Sequence, residues 1–440
     1  MSRSVVTAVS DRWESTLVTT LERGTDAQIA RRCPDLADLL AVAGSGLAEV
    51  ALVSADLRLL DRTALDHLRE CSVTVVGIYP PGDETAQRHL RQLGIATIIS
   101  ADASAEAIQV ALDGLDAPSG LGPVLFDDAL EAAGPGGPDG VLGSVDRGGS
   151  RPPAPDHAGA DDDQSLGTIL AVWGPTGAPG RTTVALNLAS ELARLSQPTV
   201  LVDADTYGGC IAQALSLLDE APGLAAATRS ADQGSLDLAA LARLSPEVAP
   251  GLRVLTGIPK AERWPELRAA ALEHVLTVTR RLARFIVIDC GFSLEDDEEL
   301  SYDTLAPRRN AATLTSLAAA DRVLVVGAGD PIGLQRLVRG LQELGTVAGP
   351  APTVVINKVR SSAVGVRPEP RIRDALTRFA GIDDPRFIPN DRAGLDAALL
   401  AGQSLAEAAP DSAARKALVA LAAEVCGQPT PAGGRRRMLA

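Results

Sequence analysis

The sequence predicts an α/β protein: two doubly wound parallel-sheet domains joined by a disordered linker. Three observations carry this. Short apolar runs alternate with amphipathic ones in two separate stretches, the later runs are continuously apolar like strands buried on both faces, and a Gly/Pro/Asp/Ser-rich block divides the stretches.

In the first stretch, residues 1–115, Val5–Val9, Ala27–Arg31, Val50–Ser54, Val73–Ile78 and Thr97–Ser100 read as strands. Trp13–Arg23, Leu36–Ala43, Arg62–Glu70, Glu84–Leu93 and Ala105–Leu115 read as the helices between them. Five βα units predict a parallel sheet with helices on both faces. Residues 116–166 include GPGGPDG and RGGSRPPAPDHAGADDD, too poor in apolar surface to offset chain entropy, so they read as a flexible acidic linker. A short helix around Val124–Ala133 is expected within it. The second stretch, 167–427, offers strands at Thr168–Trp173, Thr199–Asp203, Leu252–Leu255, Phe285–Asp289, Arg322–Val326 and Pro352–Asn357, with helices at Thr182–Leu195 and Ser412–Val425. Residues 428–440 form a basic tail.

Composition narrows the function. The 440 residues are 46% hydrophobic, enough for sizeable cores, and the net charge is -15, which counts against a generic nucleic-acid or anionic-membrane coat. Five cysteines, Cys33, Cys71, Cys210, Cys290 and Cys426, are odd in number and never in C-x-x-C spacing. A disulfide framework, zinc or an iron–sulfur cluster is therefore poorly supported, and a reduced cytoplasmic chain is expected. No apolar h-region follows the N-terminal charge and no long apolar run occurs, so neither secretion nor a membrane span is expected.

In doubly wound sheets ligands bind at the carboxyl ends of strands. The strand ILAVW runs into Gly174-Pro175-Thr176-Gly177-Ala178-Pro179-Gly180-Arg181-Thr182-Thr183 and then a helix. Phosphate calls for such a small-residue loop of inward N–H groups, a cation, a helix N-terminus and a hydroxyl for Mg²⁺. Against G-x-x-x-x-G-K-[ST], Pro175 replaces glycine and Arg181 replaces lysine, and Pro175 and Pro179 each remove an N–H. The plain alternative is a Gly/Pro turn between strand and helix. The next strand ends Asp203-Ala204-Asp205 and a later one ends Phe285-Ile286-Val287-Ile288-Asp289. Acids placed so can hold Mg²⁺ and orient an attacking water, though a lone Asp closing a strand is more often a turn cap.

The order of P-loop, D-x-D, hhhhD, Val355-Ile356-Asn357-Lys358 and Ile388-Pro389-Asn390-Asp391 resembles the MinD/ParA group of deviant Walker ATPases, over Thr168 to Val425. The resemblance implies ATP or ADP with Mg²⁺ and a nucleotide-controlled homodimer. It assigns phosphate and metal binding to Gly177, Ala178, Gly180, Arg181, Thr182 and Thr183. Asp205 would be the switch carboxylate that positions water and, with Arg181, the catalytic pair. Thr182, Asp203 and Asp289 would form the metal set, Asn357 would recognise adenine, and Pro389 and Asn390 would line the base. The family's second loop lysine is Thr176 here. Cations lost from developing phosphate charge cost rate more than binding, so binding is expected to outlast hydrolysis.

Ala51–Leu59 resembles the phosphoacceptor strand of a response-regulator receiver, with Asp56 at the acceptor position. Of the acidic pair after the first strand only Asp11 is present; Ile78 stands for the hydroxyl residue and Ala101 for the lysine. A pseudo-receiver used for docking is therefore expected, Asp56 capping a turn. The combination is similar to the CpaE/TadZ group, which implies polar or pilus-assembly partners, with septum-site and chromosome-partitioning relatives. Arg435–Arg437 could meet an anionic membrane or be a solvated end. The acidic run Glu295–Glu299 faces solvent or forms a switch loop. Two competing readings remain. One is a non-enzymatic scaffold; the other is DNA binding through Arg371, Arg373 and Arg378, against which the net charge counts.

Overall fold

The computed structural model describes residues 3–116, 166–217, 222–296, 307–347 and 349–427. The expected helix at Val124–Ala133, the end of the acidic run at Asp297–Glu299 and the Arg435–Arg437 tail lie outside them.

The N-terminal strands are β1 (Arg3–Ala8), β2 (Ala27–Arg32), β3 (Val50–Ser54), β4 (Thr74–Tyr79) and β5 (Thr97–Ser100). They form one parallel sheet in the order β2-β1-β3-β4-β5, the flavodoxin-type doubly wound arrangement. β3 is buried along its whole length because helices cover both faces. Sequence and structure agree closely here, since each helix opens on a short polar cap. Asp35, Asp61, Asp83 and Ser104 accept from the N–H three residues on.

The larger sheet comprises β6 (Thr168–Trp173), β7 (Thr199–Ala204), β8 (Glu247–Ala249), β9 (Leu252–Leu255), β10 (Phe285–Cys290), β11 (Arg322–Ala328), β12 (Thr353–Val359) and β13 (Arg386–Pro389). Its order is β13-β12-β11-β6-β10-β7-β9-β8, parallel except for the edge strand β8. The two edges, β8 and β13, are short and only partly apolar, which is why the apolar-run reading did not identify them. Two cores sandwich the sheet. Ile169, Ala171, Trp173, Ile286 and Ile288 face one, and Leu170, Val172, Leu201, Val287 and Val355 face the other. β6 sits where connections turn from one half of the sheet to the other, with β10 and β11 on its two sides, so the loop leaving it lies at the switch point.

The two sheets' helical layers meet. Helix Arg62–Glu70 lies against helices Gly223–Asp232 and Ala269–Leu282. Arg268 pairs with Asp61 at 2.8 Å, and Arg62 Nε donates to Ala231 O at 3.2 Å. Asp232 Oδ1 is buried there without a hydrogen-bond partner. No helix among the described residues is long and apolar enough to cross a membrane.

Candidate nucleotide site

The loop after β6 is shaped by its backbone. Gly177, Ala178 and Gly180 adopt φ of +105°, +52° and +100°, so the chain winds left-handed before helix Arg181–Arg194. At Gly180 a side chain is excluded because a Cβ would collide with Asn357 Nδ2. Among the described residues, the N–H groups of Gly177, Ala178, Gly180, Arg181, Thr182 and Thr183 donate to no protein acceptor. Successive unpaired amides in such a turn, at a helix N-terminus, make an anion-binding concavity.

Arg181 points back under this loop. Its Nε donates to Cys290 O at 3.0 Å, Nη1 to Gly174 O at 3.1 Å and Pro175 O at 3.4 Å, and Nη2 to Asp205 Oδ2 at 3.2 Å. The guanidinium thus ties the loop's first carbonyls to the ends of β7 and β10. Asp205 is held from the other side, its Oδ1 accepting from Tyr207 N at 2.9 Å and Gly208 N at 3.2 Å. The side chains of this pair are only 11% and 6% exposed, so both charges are largely withdrawn from bulk water.

Thr182 Oγ1 donates to Asp289 Oδ2 at 2.6 Å. Asp289 and Asp203 are register partners on β10 and β7, so the parallel ladder alone brings the two carboxyls side by side. Burial, followed by the charge of Asp203, holds Asp289 well above the usual carboxylate range. Burial likewise raises Asp203, against the pull of the Ile211 N–H. Asp289 Oδ1 is buried with no hydrogen-bond partner. An orphaned carboxylate oxygen beside a threonine hydroxyl, below bare amides, fits Mg²⁺ carried in with a polyphosphate. No group of three or more His, Cys, Asp or Glu side chains among the described residues could hold a metal by itself.

Two of the expected site residues also make structural hydrogen bonds here. Asp203 was expected in the metal set, and its oxygens accept from Asp205 N at 3.3 Å and Ile211 N at 3.1 Å. It is wedged against Gly209 and Gly257, so it holds the turn after β7. Asn357 was expected at adenine; its Nδ2 donates to Pro179 O at 2.9 Å and its Oδ1 accepts from Lys358 N at 2.8 Å. Buried with both polar ends engaged, it braces the loop. Of the two residues expected to line the base, Pro389 pairs with Val359 in the ladder and Asn390 donates its N–H to Val359 O at 2.9 Å, its side chain exposed. Thr183 lends its carbonyl to Asn187 Nδ2.

Several residues here escaped the sequence reading. Arg309 stacks 3.8 Å from the Tyr207 ring centroid and donates to Thr206 Oγ1 at 2.7 Å, while Tyr207 OH donates to Asn310 Oδ1 at 2.7 Å. These contacts hold the turn that carries Asp205. Nothing local marks Arg309 in the sequence; only Tyr207, two residues after the D-x-D, was within reach of motif reasoning. Lys358 Nζ donates to Ala178 O at 2.7 Å.

In the N-terminal sheet, Asp56 is exposed and accepts from Ser54 Oγ at 2.6 Å, and Ser54 Oγ accepts from Ser10 N at 3.1 Å. Ile78 and Ala101 are buried. The exposed arginines Arg371 and Arg373 lie on helix Pro368–Ala380, but Arg371 is bound to Val364 O and Arg373 lies over the Phe387 ring.

A left-handed loop of bare amides between a central parallel strand and a helix, with carboxylates on the neighbouring strands, makes this unit a doubly wound α/β fold with a candidate anion-binding strand–loop–helix at its switch point. Comparison with solved structures finds partial likenesses, each covering about three fifths of this chain. A ParA family ATPase from Chlorobium tepidum is 19% identical, with 58% of this chain and 98% of that chain covered and a TM-score of 0.49. The cell division ATPase MinD of Pyrococcus furiosus is 20% identical, covering 60% and 99%, with a TM-score of 0.47. The septum site-determining protein MinD of Pyrococcus horikoshii, solved with Mg-ADP, is 20% identical, covering 59% and 96%, with a TM-score of 0.46. No protein-family model and no curated protein sequence matches the chain.

Proposed function

We propose that the larger unit binds ATP or ADP with Mg²⁺ and that the protein is a nucleotide-controlled, dimeric positioning protein of the MinD/ParA type. The observation that carries this is the convergence of unpaired loop amides on a helix start whose Thr182 is bonded to the half-satisfied Asp289. In this reading Gly177, Ala178, Gly180, Thr182 and Thr183 hold the phosphates. Asp289 and Thr182 hold the metal with its waters, and Asp205 orients water. Bound Mg²⁺ would neutralise charge on the phosphates. Arg181 fixes the loop and Asp205, and with its charge already shared with a carboxylate it offers little to a transition state. Turnover is therefore slow or absent.

The N-terminal unit, taken as residues 1–115, serves as a pseudo-receiver docked on the nucleotide-binding unit of residues 167–427. The buried apolar Ile78 and Ala101, and Asp56 engaged with Ser54, favour docking over phosphorylation. Partners in pilus assembly, cell division or polarity, and an address at the inner membrane face or cell pole, complete the proposal.

The test is ATP affinity and turnover for wild type, Arg181→Ala and Asp205→Ala. Binding with little turnover in the wild type supports the reading. If the wild type shows no measurable binding of Mg-ATP, a passive scaffold replaces it.

A further inference from the structure

The loop's own charge is spent. Arg181 is engaged with Asp205 and three carbonyls, and the loop faces the buried Asp203 and Asp289 as well. A polyphosphate arriving there needs a cation whose charge is not already shared.

One such group lies on the loop. Arg336, on helix Pro331–Leu344, sets its guanidinium against Gly177 so closely that a Cβ on that glycine would collide with Nη1. Arg336 is exposed and makes no hydrogen bond or ion pair among the described residues. The placement is built in. Leu337 is fully buried against Gly327 of β11, and Gly340, one turn after Arg336, packs on Trp173 and Pro175 at the loop's base. Both contacts seat the helix against the strand end and hold Arg336 over the turn. Lys358, on the loop's other flank, is already bonded to Ala178 O. The Arg336 guanidinium therefore lies at Gly177, on a loop whose amides have no protein acceptor among the described residues, and donors without an acceptor are completed by an anion.

We propose that Arg336 is a phosphate-binding residue of this site, supplying in cis, from the helix after β11, the unshared positive charge that the loop lacks. The inference rests on the nucleotide reading above and adds to it a residue outside the loop. The phosphate chain of a nucleoside di- or triphosphate is the ligand class, bound by the Nη groups over Gly177.

The test is calorimetric titration of the full chain with Mg-ATP at several salt concentrations, for wild type, Arg336→Ala, Arg336→Lys and Arg339→Ala. Arg339 is exposed on the same helix and serves as the control. The expected result is an affinity loss of about tenfold for Arg336→Ala, the weight of one charge-assisted contact, with a shallower salt dependence. Arg336→Lys should recover part of both, and Arg339→Ala should match wild type. Wild-type binding with Arg336→Ala within about twofold overturns the inference and leaves the nucleotide site standing. A weaker Arg336→Ala whose salt dependence equals that of wild type also overturns it, because Arg336 would then only pack the loop. Absence of Mg-ATP binding in the wild type overturns both readings together.

Discussion

Thr182 and Asp289 are joined by a 2.6 Å hydrogen bond across the start of a helix and the end of β10, and only one oxygen of Asp289 is satisfied by it. The half-satisfied acid is costly in the protein alone and useful to a bound cation. A buried carboxylate whose folded-state value is raised binds its proton more tightly when folded. Its contribution is present below the ordinary carboxylate range and is lost as pH rises through the raised value. Asp289→Asn is therefore expected to raise the melting temperature of the nucleotide-free protein above neutral pH and to abolish the additional stabilisation by Mg-ATP. Thermal melts with and without Mg-ATP check both.

Arg181 and Asp205 form a nearly buried pair, so removing one partner strands the other. Either Arg181→Ala or Asp205→Ala should destabilise by about 3–5 kcal/mol, and the double variant should lose less than the sum of the singles. Urea denaturation of the four proteins measures the coupling; strict additivity would show that the pair is not interacting.

Asn357 and Gly180 meet at the loop, where the carboxamide donates to Pro179 O. Asn357→Ala leaves that carbonyl and the Lys358 N–H without their partner, an expected cost of about 1–3 kcal/mol. Gly180→Ala is expected to be worse for ligand binding, because it forces a side chain at φ +100° into the carboxamide. Equal Mg-ATP affinity for Gly180→Ala and wild type would contradict the shape assigned to the loop.

Asp232 sits where the two units meet, and burial, followed by the charge of Asp61, lifts it to about 6 from an ordinary 3.8. With the folded-state value raised, stability falls as pH rises from about 4 to about 6. His274, pushed down to about 4 from 6.5 by burial and then by Arg62, acts in the opposite sense: stability is lost as pH falls through that window. Asp232→Asn should stabilise the protein near neutral pH by at most about 2 kcal/mol, the effect vanishing in acid. His274→Leu should remove the acid-side loss. Denaturation profiles against pH separate the two.

Much of the fold was legible because its signals are local. β3, β5, β6 and β9 and helix Arg62–Glu70 fall at the boundaries read from apolar runs and caps, since strand burial and capping act between residues a few positions apart. The edge strands β8 and β13 were missed for the complementary reason: a half-exposed strand has no continuous apolar run.

The candidate site divides the same way. Its loop, its hydroxyls and its two strand-end acids were visible because glycines, a cation and carboxylates follow one another in a short stretch or close an apolar run. Asp203 and Asn357 were assigned to ligands, and their bracing hydrogen bonds were not foreseen. Which way a side chain points depends on donors and acceptors that the ladder and the helices bring from far along the chain, such as Pro179 O, 178 positions from Asn357. Arg309 and Arg336 carried no local mark at all. By itself the sequence determined that a strand–loop–helix with two trailing acids exists. Tertiary structure decided which oxygens remain unsatisfied and which guanidinium is unshared, because hydrogen-bond satisfaction is settled only when distant segments pack.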